Sequence, residues 1–414
     1  MFNRADLRQL NMLGWILFAG LLVLAIHKSF QQSEKRDFVY FYSIGRILNE
    51  YSPEKLYRYA LQRKVFEEVL PLKEVEYGPS PYPPYVAMFF RPFARLPYWT
   101  AYRLWTGITL ILYSAGLWLL VKRFIGADRL GRSMFFCFGL SFGPFIAQIL
   151  PSGQLSAVGF FAMALAICLE DSGRQYLSGL VLSVCLYKPT LLVLVVPMLL
   201  VIRRFKVLAG FGLGAIALAT LTTYLEGPRI WLAYLRMSVD FARIRSFLPL
   251  PEYIDLEAFS TMIAHGIPFV RATVLCAGAV ASVHLVRAWW LTGRAGERTP
   301  ATTVWATTLT WTLLLNVYVP TYDSVLVVIS VIASAPVFRH AAPRTFFVLG
   351  FLLLVFSYLT RPIASELGLQ MLTLILAVFG ALQLTFQYSE LRQAAVAWAP
   401  VVKFAVSARS EQKI

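Results

Sequence analysis

Long apolar runs, separated by short polar or basic clusters, make up most of the chain. The runs are of helix length and lack the alternation of apolar and polar positions that transmembrane barrel strands require. The pattern therefore predicts an all-α integral membrane protein, a polytopic bundle of about twelve transmembrane helices with interfacial helices in its first large loop. The expected spans are 10–28, 98–121, 132–149, 153–170, 174–187, 188–202, 207–225, 268–290, 301–317, 322–338, 345–360 and 366–387.

Composition and charge agree with a membrane protein. Of the 414 residues, 58% are hydrophobic and only 14% are charged, whereas an average soluble domain has about 25% charged residues. The net charge of +16 comes from Lys and Arg dispersed between apolar runs, and a nucleic-acid-binding protein would gather them on one soluble face. We therefore expect membrane lipid, and no nucleic acid, as a partner. The four cysteines lie inside apolar runs, without metal-ligand or disulfide spacing.

The basic clusters fall in alternate loops, namely 122–132, 170–175, 203–206, 292–298, 338–344 and the C-terminal tail. The positive-inside rule places these loops in the cytoplasm. We expect a bacterial inner membrane protein with both termini cytoplasmic and the other loops facing the periplasm or exterior. The chain then divides into a first transmembrane module (1–225, including the outer loop 29–97), an extracytoplasmic loop (226–267), a C-terminal transmembrane module (268–388) and a cytoplasmic tail (389–414).

Lys188 and Pro189 interrupt the apolar run 174–202. A charge at mid-bilayer is unfavourable by about 3 kcal/mol, and the run is too long for one straight span that returns to the cytoplasm. We therefore predict two short helices that meet at Lys188, on the floor of a cavity open to the outer side. A lysine beside a helix N-terminus is suited to bind an anion such as phosphate. The alternative is a simple kink, with the lysine snorkelling or paired to an acid.

A second break is expected at residues 151–154, Pro-Ser-Gly-Gln, where the third and fourth spans meet. Gln154 would face the same outer cavity as Lys188. The alternative is that the segment only makes a tight helix hairpin, which needs Gly and Pro in any case.

Asp37 is the candidate for acid–base chemistry in the first outer loop. It precedes a segment, 38–48, whose apolar positions have helical spacing, so we predict it at or just before the N-terminus of an interfacial helix. A carboxylate there can cap the helix through backbone N–H groups. Alternatively, it can accept a proton from a hydroxyl in a partly desolvated site. The outer segment 230–244 is amphipathic and suited to lie on the membrane as a lid.

An ordered set of motifs carries a family resemblance: "RDFVYFYSIGRILN", "YPPYVAMFFRPFARLPYW", "PSGQLSAVGFF", "YKPTLLVLVVP" and "PTYDSVLVVIS". The set resembles glycosyltransferase family 87 of the C-type (GT-C) superfamily, which includes polyprenol-phosphate-mannose-dependent mannosyltransferases. The resemblance implies a GT-C-type bundle whose catalytic module is 1–225. It also implies that Asp37 is the catalytic base and that Lys188 and Gln154 line the donor cavity. Related sequences often carry a His near the Tyr-Asp pair of the tenth span. This chain has none there, so no His is given a role.

Further outer-side residues are candidates for substrate binding, with membrane anchoring or helix capping as their alternative roles: Arg46, Tyr82, Arg245, Tyr322, Asp323 and Arg361. Arg361 is expected between the last two spans. The carboxylates near Asp37, namely Glu34, Glu50 and Glu54, are too scattered for a ligand cluster. We therefore expect no metal site and no cofactor.

The residues and the resemblance together predict a membrane glycosyltransferase. It would move a sugar, mannose by resemblance, from a polyprenyl-phosphate donor to a hydroxyl of a glycolipid or glycan acceptor, by a single inverting displacement. A lipid-linked sugar or anion transporter is the main alternative, because broken helices with N-termini facing an anion also occur in transporters. A non-catalytic assembly subunit is the third possibility.

Overall fold

The computed structural model describes residues 4–31, 37–70, 80–243, 249–296, 301–317 and 319–411. Within these residues the regular elements are helical, apart from one isolated antiparallel pairing of Tyr253 with Pro320. The α-helices are α1 Arg4–Gln31, α2 Phe38–Glu50, α3 Tyr59–Val69, α4 Pro84–Phe90, α5 Tyr98–Phe124, α6 Arg129–Leu140, α7 Leu150–Ser152, α8 Ser156–Asp171, α9 Gln175–Leu182, α10 Val195–Val201, α11 Phe205–Glu226, α12 Arg229–Arg243, α13 Leu256–Ala264, α14 Pro268–Ala295, α15 Ala301–Leu315, α16 Leu326–Ala341, α17 Pro343–Leu367 and α18 Met371–Glu411.

Short 3-10 and π segments occur where the helices break. The 3-10 segments are Pro53–Lys55, Phe93–Arg95, Ser183–Tyr187, Pro189–Leu192, Leu250–Glu252 and Thr321–Val325, and the π segment is Pro144–Ile149. The predicted junction at Lys188 is confirmed, because 3-10 turns end and begin on its two sides. The predicted break at 151–154 is confirmed as well, with α7 ending at Ser152 and Gly153 in the left-handed region at φ 76°.

The polytopic helical class is confirmed, whereas the count of twelve spans is not. In the described residues, seven helices are long and apolar enough to cross a membrane, or eight if the bent pair Arg129–Leu140 and Pro144–Ser152 forms one span. The other expected spans are helical but shorter. Helix α8 has 16 residues and α15 has 15, while the run 174–202 forms Gln175–Tyr187 and Pro189–Val201. Of the 15 residues in α15, 13 are buried, as in an interior helix.

Two boundaries differ from the prediction. Arg361 was expected in a loop, and this is wrong: α17 continues through Arg361 and Pro362 and ends at Gly368, whose φ of 64° suits a left-handed C-cap. The backbone of α18 also continues as helix to Glu411, past the expected start of a separate tail at residue 389.

The bundle has two ends with different contacts. At one, which we call the basic end, ion pairs and hydrogen bonds join the predicted inside loops to one another: Arg123 to Asp171, Arg204 to Glu170 at 3.0 Å, and Arg339 to the Ile125 carbonyl at 3.5 Å. At the other, which we call the site end, the predicted outside segments meet through the pairs Arg91–Glu226, Lys188–Asp323 and Arg361–Glu252. In these contacts, predicted inside loops meet inside loops and predicted outside segments meet outside segments.

Aromatic packing fixes the first outer loop on the site end. The ring of Phe41 in α2 stacks on Phe90 of α4 at 5.2 Å, and the Tyr42 hydroxyl donates to the Leu96 carbonyl at 2.7 Å. A Cβ at Gly45 would lie 2.6 Å from the Phe90 carbonyl oxygen, so glycine permits the close approach of α2 and α4. This packing holds the N-terminus of α2, and with it Asp37, against the bundle.

Candidate active site

Asp37 lies at the N-terminus of α2, as the sequence predicted. Its side chain makes no capping hydrogen bond with that helix, and its own backbone is already in the helical region at φ −64°. The capping alternative is therefore not realised. The hydrogen-bonding groups that act on the carboxylate belong to another segment: they are the side chains of Gln154 and Ser152.

The turn at 151–154 is locked in place beside Asp37. The Trp105 indole donates to the Gly153 carbonyl at 2.7 Å, and the Tyr102 hydroxyl donates to the Pro151 carbonyl at 2.6 Å. A Cβ on Gly153 would come within 2.8 Å of the Cβ of Phe38, the residue that follows Asp37. Glycine thus lets the turn pack directly on the start of α2, which brings the buried side chain of Gln154 to the carboxylate.

The surroundings of Asp37 raise its pKa from 3.8 to about 6. The largest cause is burial, which disfavours the ionised form. The neighbouring polar side chains of Gln154 and Ser152 and the positive charge of Lys188 lower the pKa in part, and the negative charge of Glu252 raises it. A carboxylate with a pKa near 6 is a stronger base than an exposed one and remains ionised at neutral pH.

Lys188 lies near Asp37 and is paired with another acid. Its ammonium group forms an ion pair with the carboxylate of Asp323, which also accepts a hydrogen bond from Ser156 at 3.2 Å. The Lys188 Nζ atom lies 4.9 Å from the centre of the Tyr322 ring. The side chain of Asp323 is 2% exposed, whereas that of Lys188 is 20% exposed. The ammonium group of Lys188 is thus held by a buried carboxylate while part of the lysine side chain stays exposed. Its three N–H donors allow one further anionic partner.

Two tyrosines lie close to these charges. The Tyr82 ring packs edge-on against Phe41 at 5.0 Å, and its backbone carbonyl accepts a hydrogen bond from Tyr57 at 2.7 Å. Burial, together with the charges of Asp37 and Asp323, raises the pKa of Tyr82, so its hydroxyl stays protonated and can donate. The Tyr322 hydroxyl is within electrostatic range of the same two carboxylates. The arrangement combines a base, a cation and two hydroxyl donors around one site.

A comparison with known proteins gives the family of this chain. A family model for glycosyltransferase family 87 matches residues 81–320, more than half of the chain. This chain belongs to glycosyltransferase family 87. No curated protein and no solved structure gives a match. A glycosyltransferase has a sugar donor and an acceptor, and here it is built on multiple membrane-length apolar helices. The matched range includes Tyr82, Gln154 and Lys188 but not Asp37.

The structure brings together six of the residues that the sequence proposed for this family 87 chain: Asp37, Tyr82, Gln154, Lys188, Tyr322 and Asp323. Arg46 is elsewhere, paired with Glu50 at 2.6 Å and with Glu68 at 3.2 Å in the outer loop. Arg361 reaches the rim only, through Glu252. Arg245 lies outside the described residues.

Sequence reasoning missed three members of the cluster, Ser152, Ser156 and Glu252. The two serines flank Gln154 within the same motif, so their spacing was a usable signal. Glu252 offered none, because its loop follows an amphipathic helix and its partner lies 109 positions further on, at Arg361. In the described residues no group of three His, Cys, Asp or Glu side chains could hold a metal ion, and independence from a metal stays a prediction.

The rate of sugar transfer by this family 87 chain should fall as the pH drops below neutrality. Because burial raises the pKa of Asp37 to about 6, protonation removes the base below that pH. We expect kcat/KM to fall about tenfold per pH unit below an apparent pKa near 6. The measurement is initial transfer rate in detergent from pH 4.5 to 8, with the thermal midpoint recorded at each pH to exclude unfolding. A rate that stays level down to pH 4.5 would contradict the assignment.

Proposed function

We propose that the protein transfers a sugar, mannose in the first instance, from a polyprenyl-phosphate donor to a hydroxyl of a glycolipid or glycan acceptor, at the outer face of a bacterial inner membrane. The observation that carries the proposal is the proximity of Asp37 and Lys188, which are close enough for the lysine charge to act on the carboxylate. A base and a phosphate-binding cation on opposite sides of a sugar are what a single displacement requires.

In this displacement one bond to the anomeric carbon forms while another breaks. The acceptor oxygen attacks the anomeric carbon and forms a new C–O bond while the bond from that carbon to the phosphate oxygen breaks. The acceptor proton goes to the Asp37 carboxylate, and the leaving polyprenyl phosphate takes the electron pair. Because attack comes from the face opposite the phosphate, configuration at the anomeric carbon is inverted.

The charged groups favour the transition state over the bound donor. Negative charge grows on the leaving phosphate, and Lys188 offers it a fixed positive charge that needs no reorganisation. The Tyr82 hydroxyl is protonated and can donate to sugar or phosphate oxygens. The paired Asp323 orients Lys188 without using all of its N–H donors. No cofactor is required for these steps.

A lipid-linked donor and an outer-face reaction suit the position of the site. The cluster lies at the site end, opposite the loops that carry the basic clusters, and the positive-inside rule assigns those loops to the cytoplasm. Both termini would then be cytoplasmic. A donor whose headgroup sits at the membrane surface could reach Lys188 without leaving the bilayer.

Donor use tests the proposal. Purified protein in detergent should transfer radiolabelled mannose from polyprenyl-phosphate-mannose to total bacterial membrane lipid, with equimolar release of polyprenyl phosphate and none from GDP-mannose. Detergent matters because a transporter needs two compartments and a transferase does not. If neither mannose nor any other sugar is transferred from its polyprenyl phosphate, or if nucleotide sugars serve instead, the proposed donor class is wrong.

A further inference from the structure

Glu252 is an acidic residue at the rim of the site, and the proposed displacement gives it no role. Its Oε1 atom lies 2.6 Å from Nη2 of Arg361 on α17. The side chain of Glu252 is 14% exposed and that of Arg361 is 57% exposed. Its negative charge acts on the Asp37 carboxylate, so the two acids lie in the same region of the site end.

The backbone around Glu252 is fixed directly beside the site. The Gln370 amide donates to the carbonyls of Pro251 and Tyr253, both at 2.9 Å, on either side of Glu252. Tyr253 pairs with Pro320, two positions before Tyr322. The loop is further held by the Ile254 N–H, which donates to Val319 at 2.9 Å. The backbone on both sides of Glu252 is therefore fixed next to the segment that carries Tyr322 and Asp323.

The ion pair itself adds little to that anchoring. A pair with one largely exposed partner contributes up to about 1 kcal/mol, whereas the loop already has several buried hydrogen bonds to α18 and to the strand-like segment before Thr321. A carboxylate that is 14% exposed loses hydration, and among the described residues no hydrogen bond is made to Oε2. The loop does not need this carboxylate for its shape, and half of its acceptor capacity is unused.

The pair also has the chemistry to recognise neighbouring hydroxyls. A sugar hydroxyl can donate to Oε2 of Glu252 while a second N–H of Arg361 donates to the adjacent oxygen, since guanidinium has five donors and one is used here. An isolated hydroxyl, such as that of a serine or threonine in a protein, has one proton, so it cannot donate to Asp37 and to Glu252 at once. A sugar or other cyclic polyol can, with a further hydroxyl directed at Asp37.

We propose that Glu252 and Arg361 form the acceptor-binding rim of the site and select an acceptor with neighbouring hydroxyls, a sugar or cyclic polyol on a lipid, over the hydroxyl of a protein. In this arrangement Glu252 and Arg361 each contact the acceptor, and Arg361 also positions Glu252. The inference rests on the proposed transferase function and narrows its acceptor.

The test separates acceptor from donor kinetics. Transfer from polyprenyl-phosphate-mannose is measured with bacterial glycolipid as acceptor for the wild type, Glu252→Gln and Arg361→Lys. The isosteric Glu252→Gln change should raise the acceptor KM about ten- to hundredfold, since a hydrogen bond to a charged group is lost. The donor KM should stay within about twofold. Arg361→Lys, which keeps the charge beside Glu252, should retain more acceptor affinity than Arg361→Ala.

A matched control lies on the same stretch of chain. Glu257, at the start of α13, pairs with Arg271 at 2.7 Å; its side chain is 33% exposed, and it is not among the charges that act on Asp37. Glu257→Gln should leave both KM values unchanged. A threonine-containing peptide should not act as acceptor for the wild type.

Each other outcome overturns the inference. If Glu252→Gln shifts donor and acceptor constants together, or lowers the thermal midpoint by several degrees, the pair only fastens the loop. If the acceptor KM does not change, Glu252 does not contact the acceptor. Transfer to the peptide would contradict the polyol acceptor while leaving the transferase intact. No transfer by the wild type from any polyprenyl-phosphate sugar would instead remove the proposed function, and the inference with it.

Discussion

Replacement of Asp37 by Asn should remove sugar transfer and leave a folded protein. The substitution keeps the size of the side chain and its contacts with Gln154 and Ser152 but removes the proton acceptor. A general base contributes about 10²- to 10⁴-fold, so kcat should fall by that factor while the donor KM changes little. The measurement is steady-state transfer in detergent at pH 7.5.

The same variant should be more stable than the wild type at neutral pH. The folded protein holds Asp37 at a pKa of about 6, above 3.8 for the free group, so ionisation opposes folding. Stability from this group is complete below pH 3.8 and is lost as the pH rises through 6. By pH 7.5 the ionisation of Asp37 lowers the free energy of unfolding of the wild type by up to about 3 kcal/mol. The Asp37→Asn variant cannot ionise at this position and therefore keeps this stability. The thermal midpoint of the variant should therefore exceed that of the wild type at pH 7.5 and match it near pH 4.

Asp128→Asn is the matched control for both effects. Asp128 caps α6 at the basic end by accepting from the N–H groups of Leu130 and Gly131 at 3.2 and 2.9 Å. Asn caps a helix about as well as Asp, so both activity and stability should be close to the wild type. Loss of activity in Asp128→Asn, or a folded Asp37→Asn protein with wild-type rates, would contradict the role given to Asp37.

Replacement of Lys188 by Met should both destabilise the protein and abolish transfer. The side chain of Asp323 is 2% exposed, and removal of its partner leaves a buried charge that is unfavourable by about 3 kcal/mol. Transfer should fall because the donor phosphate loses its cation. A single variant cannot distinguish these two causes.

The double variant Lys188→Met, Asp323→Asn separates them. Removal of both charges should restore the thermal midpoint to near that of the wild type, because no buried charge is left unpaired. Transfer should stay at least about a hundredfold below the wild type, since the lysine is missing from the phosphate site. Asp323→Asn alone is the control and should retain measurable activity. Recovery of transfer in the double variant would show that Lys188 serves only as the counter-ion of Asp323.

The local features of the site followed from the sequence because their physical causes are local. A charge and a proline in the middle of an apolar run favour a break or a kink in a helix, and Pro-Ser-Gly-Gln between two runs favours a turn. Asp37 before a helical apolar pattern fixed its place at a helix N-terminus. These three predictions required no knowledge of distant neighbours.

The partners of these residues could not be read from the sequence, because they are far apart along the chain. Lys188 and Asp323 are 135 positions apart, and no pattern within either segment names the other. The sequence allowed two roles for Lys188, pairing with an acid and binding an anion. The structure shows the pairing with Asp323, and the exposed part of the lysine side chain remains available to an anion. The structure thus realises the pairing without removing the binding role that we propose.

The number of membrane spans also could not be derived from sequence patterns. An interior helix such as α15 is as apolar as a span but is covered by neighbouring helices instead of lipid, and only packing distinguishes the two cases. The course of α17 past Pro362 was missed for a related reason. Neighbouring helices in a membrane bundle tolerate a proline that would end a helix in water, and the chain turns instead at Gly368.

One experiment tests the central claim, that Asp37 and Lys188 line a site at which a sugar is transferred from a lipid-linked donor. Polyprenyl-phosphate-mannose with a radiolabelled sugar is incubated with membrane lipid and either the wild type or Asp37→Asn, and labelled product and released polyprenyl phosphate are both counted. The account predicts equal amounts of product and polyprenyl phosphate from the wild type and neither above background from the variant. Transfer by a folded Asp37→Asn protein within about tenfold of the wild-type rate would contradict it.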